Sequence, residues 1–452
     1  MPRSRPKLTF TLTDESFTVP PGSQRTETVG ACWAPALHLL ADYSELQLGH
    51  MKISSLGDWF TRVKTLVAQA TGVTAGAVDY TDVIFNGISG DAGVTSGGAI
   101  GLLNGSPGAT YTINIVAGSS GGTLTFLAAS NFRQEWWSVQ NFLQYGGDCF
   151  VGFIGVGYTG ALGAGGAAGV VGPYAVAADF ASPGIGYDVV FQSSAPTDEW
   201  TSSTASTYVI DIVSALEDSE RPVVGVISVG VTGGISSSAH IDVESGANEY
   251  IIGVAGSKYH LNSVASTDTT TLIKTNLAPD IAGCIVRADR NNSPWISPAG
   301  PDRGKILSVV KLSKNLTTSQ QDLLYDNNVN PVITIAGQGT MLYGDITNAV
   351  DTSSMVSINV IRTINYIKSS LMPLANSIMF GQNNESTRNM FKLQASTFLG
   401  NIQAKGGLLE YIVVCDDTNN PTSVIESKSF NADISVKIPG SINYINISLT
   451  NK

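Results

Sequence analysis

Apolar residues in this chain change period repeatedly, from the three-to-four spacing of a helix face to the alternation of a strand and back, which confines the fold to mixed α and β structure. Phe132, Trp136, Val139 and Leu143 recur at helical spacing, and Gly146-Gly147 ends that helix before a strand beginning at Cys149. Residues 188–191 read as a strand, 203–216 as a helix and 222–229 as another strand, the order of an α/β unit. Further on, Val360, Ile364, Ile367, Leu371 and Leu374 predict a helix with cap candidates in 351–354. Phe391, Ala395, Phe398 and Ile402 predict another, opened by Asn384-Glu385-Ser386 and closed by Gly406-Gly407. Residues 409–415 form an apolar strand, and Phe430, Ala432, Ile434, Val436 and Ile438 alternate with polar neighbours as a half-buried strand does. The stretch 71–129 is rich in Gly, Thr and Ser, with a hairpin expected from strands at 110–116 and 122–127.

The expected fold class is therefore α+β, mixed α/β and multidomain. An N-terminal arm (1–35) joins a C-terminal core (278–452, ending in a terminal arm at 440–452), an outer α/β domain covers 36–70 and 130–277, and 71–129 is a β-rich insertion. A chain of 452 residues has length enough for two or three such bodies. Charge follows the same division. Residues 1–64 carry 7 basic and 6 acidic side chains, 65–257 carry 2 and 16, and 258–452 carry 16 and 14. An acidic middle between nearly neutral ends places the middle outward, where water screens like charges. Only 13% of residues are charged while 48 are glycine, a surface that favours association.

The chemistry-bearing motifs are weak. Gly155-Val156-Gly157-Tyr158-Thr159-Gly160 matches a dinucleotide fingerprint, but 161–169 is too glycine-rich to open the helix that would hold a pyrophosphate. The segment 300–306 lacks the spacing and hydroxyl of a phosphate loop and reads as a turn. His38, His50, His240 and His260 show no metal-ligand spacing, and Asp416-Asp417-Thr418-Asn419-Asn420 reads as a turn rather than a calcium loop. Cys32, Cys149, Cys284 and Cys415 sit far apart among apolar residues, as buried free thiols do. No nucleophile with its base can be assembled, and no basic stripe with interleaved aromatics points to nucleic acid. The uncharged run 150–178 is long enough to cross a bilayer, but nine glycines and acidic flanks at Asp148 and Asp179 argue for a buried strand and a small-residue loop instead. The basic amino terminus leads into alternating threonines, not the apolar run of a secretory signal. Cofactors, metals, nucleic acid and membrane insertion are thus all expected to be absent.

Strand patterns occur near both ends. Leu8, Phe10 and Leu12 alternate with threonines, and Ile445, Ile447 and Leu449 alternate with polar residues beyond Ile442 and Tyr444. Such strands either pair within their own subunit or add to a neighbour's sheet.

Consecutive blocks of the last third carry a family resemblance. They are Ala282-Gly283-Cys284-Ile285-Val286-Arg287-Ala288-Asp289, Pro294-Trp295-Ile296-Ser297-Pro298-Ala299-Gly300, Gln321 to Tyr325, Asn330-Pro331-Val332-Ile333 and Gly337-Gln338-Gly339. Asn359-Val360-Ile361-Arg362, Asn384 to Arg388, Gly406-Gly407-Leu408, Val414 to Asn420, Phe430 to Ile434 and Ser441 to Ile445 follow in order. This succession resembles contractile bacteriophage tail sheath proteins. It departs where the family's acidic residue precedes a Pro-Asn pair, since here Phe380 is followed by Gly381-Gln382-Asn383.

The resemblance implies a non-enzymatic virion subunit, assembled in the bacterial cytoplasm into a helical homo-oligomer around a tail tube protein, with baseplate and tail terminator proteins as further partners. It implies that both terminal strands augment neighbouring subunits, pivoting about Pro20, Pro21 and Gly22 and about Pro439 and Gly440. It also places the C-terminal unit on the inner wall, which makes Arg388, Lys392 and Lys405 candidates to face the tube. A shell or fibre protein and, more remotely, a dinucleotide-binding enzyme are the alternatives.

Overall fold

The structure, a computed structural model, describes residues 29–33, 50–59, 94–96, 110–115, 122–127, 130–152, 187–193, 207–218, 223–229, 248–261, 272–349 and 356–441. Among these residues the largest sheet has seven strands: β1 (Val29–Trp33), β2 (His50–Ile53), β6 (Asp148–Gly152), β7 (Val189–Phe191), β8 (Val224–Val229), β9 (Ile251–Ala255) and β13 (Val329–Asn330). They run in the order β13-β9-β8-β7-β1-β6-β2, all parallel except β2, which pairs antiparallel with β6 at one edge. Parallel strands need crossovers that cover both faces, which is why β8 is apolar at nearly every position and buried throughout.

The helices α1 (Ser130–Leu143), α2 (Thr207–Asp218) and α3 (Ala278–Asn291) supply the cover. Register shows how they divide. Gly30 opposes Val189, and Val189 opposes Val224, so these three share one face, while Ala31, Val190 and Gly225 share the other. A side chain on Gly30 would collide with the Phe142 ring of α1, so α1 lies on the first face. Phe142 stacks there on Phe191, with ring centroids 4.8 Å apart. A Cβ on Gly225 would meet Val213 and Val209 of α2 at 2.8 and 3.1 Å, so α2 covers the second face. Helix α3 packs on α1 and across β8, β7 and β1, completing a three-layer body.

Two smaller sheets attend this body. One, in the order β11-β10-β12, comprises β10 (Ser257–Leu261), β11 (Leu272–Asn276) and β12 (Lys311–Leu312); the other is the hairpin of β14 (Val332–Ile335) and β15 (Gly339–Leu342). Helix α4 (Thr318–Asp326) leads into β13 and opens with a capping box between Thr317 and Gln320. In the expected insertion, β3 (Val94–Ser96), β4 (Thr110–Ile115) and β5 (Gly122–Leu127) form a three-stranded antiparallel sheet, with the predicted hairpin in place.

A second body follows residue 356. Helix α5 (Ile358–Ile378) and helix α6 (Glu385–Ala404) back the antiparallel pair β16 (Glu410–Val414) and β17 (Asp433–Lys437), with the short α7 (Thr422–Glu426) between the strands. Ile367, Leu371, Phe391, Ala395, Phe398, Leu399, Ile402, Val413 and Ile434 make its core, into which Trp295 of the first body inserts.

Two expectations change. The sequence places 29–33 in an arm joining the C-terminal core, but β1 is an interior strand of the large sheet, held between β6 and β7 where Gly30 admits Phe142. A boundary at 277/278 is likewise displaced, because α3 covers the sheet and β13 pairs with β9; the second body begins beyond residue 349. Helix α5 has Ser357 at its N-cap position, and the capping candidates expected in 351–354 lie outside the described residues. The segments 153–186, which hold the glycine-rich fingerprint, and 1–28 and 442–452, which hold the terminal strands, lie outside the described residues.

Candidate functional site

The β16–β17 pair is the candidate assembly surface, and its geometry follows from its alternation. Tyr411 opposes Val436 and Val413 opposes Ile434, and these four point into the core against α6. Glu410, Ile412 and Val414 oppose Lys437, Ser435 and Asp433 on the outer face. Ile412 there is 62% exposed and Leu409, just before the strand, 52%. Among the described residues the sheet has only these two strands, so neither outer edge has a partner, and an apolar, unpaired edge is a template for another strand.

Side-chain amides fix one end of the pair. Asn420, 1% exposed, accepts from the Asn431 amide at 2.8 Å and donates to the Asn431 carbonyl at 2.7 Å, imitating one rung of a ladder. Asn419 donates to the Val414 carbonyl and to Asp433, each at 2.9 Å. Asp416 accepts from the Thr418 amide at 3.0 Å and from its hydroxyl, and those bonds hold its carboxyl below the usual range. The run 416–420 is thus a hydrogen-bonded turn, as its composition predicts. No group of three His, Cys, Asp or Glu side chains able to hold a metal occurs among the described residues.

The candidate tube-facing cations separate into two kinds. Arg388 is 5% exposed, donating to Asp417 at 2.6 Å and to Asn383 at 2.9 Å, so the expectation of an outward charge is corrected for this residue: its guanidinium ties α6 to the 416–420 turn. Lys392 is half-exposed, 3.8 Å from Asp416, and Lys405 is exposed at the end of α6.

Residues 439–441 are held in a clamp. Asn359 donates to the Pro439 carbonyl at 3.1 Å and to the Trp295 carbonyl at 3.3 Å. The Ser441 hydroxyl donates to Asp345 and, at 3.3 Å, to the side-chain Oδ1 of Asn359. Burial pushes the Asp345 carboxyl up to about 6, against the opposing pull of its serine hydrogen bonds and of Arg303. Pro439 and Gly440, expected as a pivot, are therefore bracketed by fixed contacts.

Beside the clamp, Arg362 pairs with Asp289 and donates to the Ile296 carbonyl at 3.4 Å, joining α5 to α3; burial lowers its pKa to about 9. Asn330, fully buried, donates to the Gly253 and Ile346 carbonyls and accepts from the Ile346 amide. Asp289, Trp295, Asn330, Asn359 and Arg362 all belong to the sequence blocks singled out above. Their adjacency was not foreseen; the succession of blocks was the only signal of it.

The phage tail sheath protein central domain matches residues 188–348, and the phage tail sheath C-terminal domain matches residues 350–450, together more than half of the chain. The chain belongs to the phage tail sheath family. Its relatives in that family include the tail sheath proteins of Vibrio phage KVP40, 44% identical over 172 residues, and of Enterobacteria phage T4, 41% identical over 172 residues. Each match covers 38% of this chain and 26% of the relative, so the shared stretch spans about a quarter of those longer sheath proteins. The fold extends further than the sequence identity. The contracted sheath complex of an extracellular contractile injection system superimposes with a TM-score of 0.62 at 12% identity, covering 100% of this chain and 98% of that one. The contracted helical sheath of the anti-feeding prophage gives 0.59 at 12% identity, covering 99% and 98%. The family boundary at 348/350 coincides with the step between the two bodies.

Proposed function

We propose that this chain is the structural subunit of a contractile phage tail sheath, polymerising helically around a tail tube. The observation that carries the reading is the two-stranded β16–β17 sheet, buried on one face and unpartnered at its edges among the described residues, within the region matched by the sheath C-terminal domain. The strand patterns around Leu8, Phe10 and Leu12 and around Ile445, Ile447 and Leu449 supply the complement: each alternates apolar residues at the spacing a strand needs to lie on such a sheet. Strands donated by two neighbours would raise it to four and satisfy its backbone edges.

Head-to-tail donation does not close on itself, so it generates a helical array. Shared backbone hydrogen bonds can then persist while compact bodies rotate, which makes contraction a rigid-body rearrangement between two packings. The clamp at Asp345, Asn359 and Ser441 sets the point about which the C-terminal strand swings. Lys392 and Lys405 are the cations of α6 left to meet a tube; replacing both by Glu is expected to weaken binding to the tube protein while leaving folding stability within about 0.5 kcal/mol. The tube, baseplate and terminator proteins are the partners of this reading, the virion tail is its location, and no catalytic step enters it. Electron microscopy of the purified protein with and without tube protein tests it. Striated hollow cylinders are expected; closed shells or thin fibres would replace the reading with another virion role.

A further inference from the structure

The interior of the first body holds a polar group that assembly does not use. Lys258, on β10, and Asp280, in the first turn of α3, are both fully buried, with Nζ 2.7 Å from Oδ1. Nζ also donates to the Leu307 carbonyl at 2.9 Å. The Tyr145 hydroxyl donates to the same Oδ1 at 2.9 Å while accepting from the Leu307 amide at 2.9 Å. Oδ2 of Asp280 has no hydrogen-bond partner. An ion pair sealed from water loses hydration on both sides, and its Coulomb energy returns that only when every lone pair is satisfied. Here one oxygen is left out.

We infer that Lys258 and Asp280 are joined in the folded chain by an amide bond between Nζ and Cγ, a self-formed cross-link tying β10 to α3. The pair holds all the atoms required. One proton passes from Nζ to Oδ1, the oxygen it contacts, giving a free amine and a carboxylic acid. The amine attacks Cγ, and Oδ2 takes up the charge that develops. Nζ then gives up a second proton to Oδ1 as the Cγ–Oδ1 bond breaks, and Oδ1, held by the Tyr145 hydroxyl, leaves as water while Oδ2 remains as the amide oxygen. An ammonium and a carboxylate thus become one amide and one water molecule, with no oxidant, metal or nucleotide.

Burial assists twice. It favours the uncharged acid, in accord with the raised pKa of Asp280, for which burial is the largest cause and Lys258 opposes it. It also removes bulk water, which would otherwise drive hydrolysis. Both groups ride on regular elements, so the reacting atoms are held in register, the condition under which intramolecular reactions gain most. The link would close a covalent loop from 258 to 280 inside the body that must stay rigid while the sheath shortens.

Intact mass spectrometry of the purified, denatured full-length chain tests this directly. The expected mass is one water below that of the sequence, with a peptide map showing a branched species joining the Lys258 and Asp280 peptides. Lys258→Met is expected to restore the full mass, and Tyr145→Phe to give a mixture of linked and unlinked chains. Asp280→Asn is expected to form the same amide with loss of ammonia in place of water. A wild-type mass equal to that of the sequence, or a water loss mapped to any other residues, overturns the inference and leaves a buried ion pair.

Discussion

At the scale of single residues, buried polar side chains hold the joints between bodies, and Asp345 shows what that implies. Its carboxyl, ordinarily near 3.8, is raised to about 6 by burial, so the folded chain binds this proton more tightly than the unfolded chain. Its contribution to stability is therefore greatest below the unfolded value and falls as pH rises through the interval up to about 6. Asp345→Asn keeps an acceptor for Ser441 and removes the titration. Thermal unfolding between about pH 4 and pH 7 is expected to show a smaller loss of stability on raising the pH in the variant than in the wild type; equal losses would refute the assignment. Trp295, 8% exposed, carries the other joint, packing from the first body into the core of the second. Trp295→Ala is expected to lower unfolding free energy by about 3–5 kcal/mol in chemical denaturation.

At the scale of elements, the β16–β17 sheet separates stability from assembly. Ile412 points outward and is 62% exposed, so Ile412→Lys should change the stability of the isolated subunit by no more than about 0.5 kcal/mol. A lysine on an edge strand deters strand addition, so polymer yield in a sedimentation assay is expected to fall sharply. Unchanged yield would argue against this sheet as the acceptor. Elements of this kind were legible in the sequence because one physical cause fixes them: α6 from Phe391, Ala395, Phe398 and Ile402, its cap from Asn384, its end from Gly406, and β17 from alternation. The cap is realised as the Asn384 side chain accepting from the Thr387 amide at 2.9 Å. What local pattern could not show was partnership across the chain. Nothing near Val29–Trp33 says that it pairs with strands more than a hundred residues away, and nothing in the spacing of Arg388 distinguishes an exposed cation from one held by Asp417. The blocks around Asp289, Trp295, Asn359 and Arg362 were visible as a series, but their meeting at one joint is a property of the folded chain.

At the scale of the whole molecule, a three-layer body and a smaller α+β body meet at Trp295, Asn359 and Arg362, and a clamp holds Ser441 at the end of the described residues. Net negative charge concentrates in 65–257, where only 2 basic side chains accompany 16 acidic ones, away from the β16–β17 sheet, whose region 258–452 carries 16 basic and 14 acidic. The central claim is that segments near the two termini supply strands to the β16–β17 sheets of neighbouring copies. Removal of residues 1–19 and 442–452 spares β1 and the Ser441 clamp, so the shortened chain is expected to fold. Electron microscopy of that shortened chain beside the full-length protein is the direct measurement. The account predicts striated cylinders from the full chain and discrete, unpolymerised particles from the shortened one; cylinders of normal length from both would contradict it.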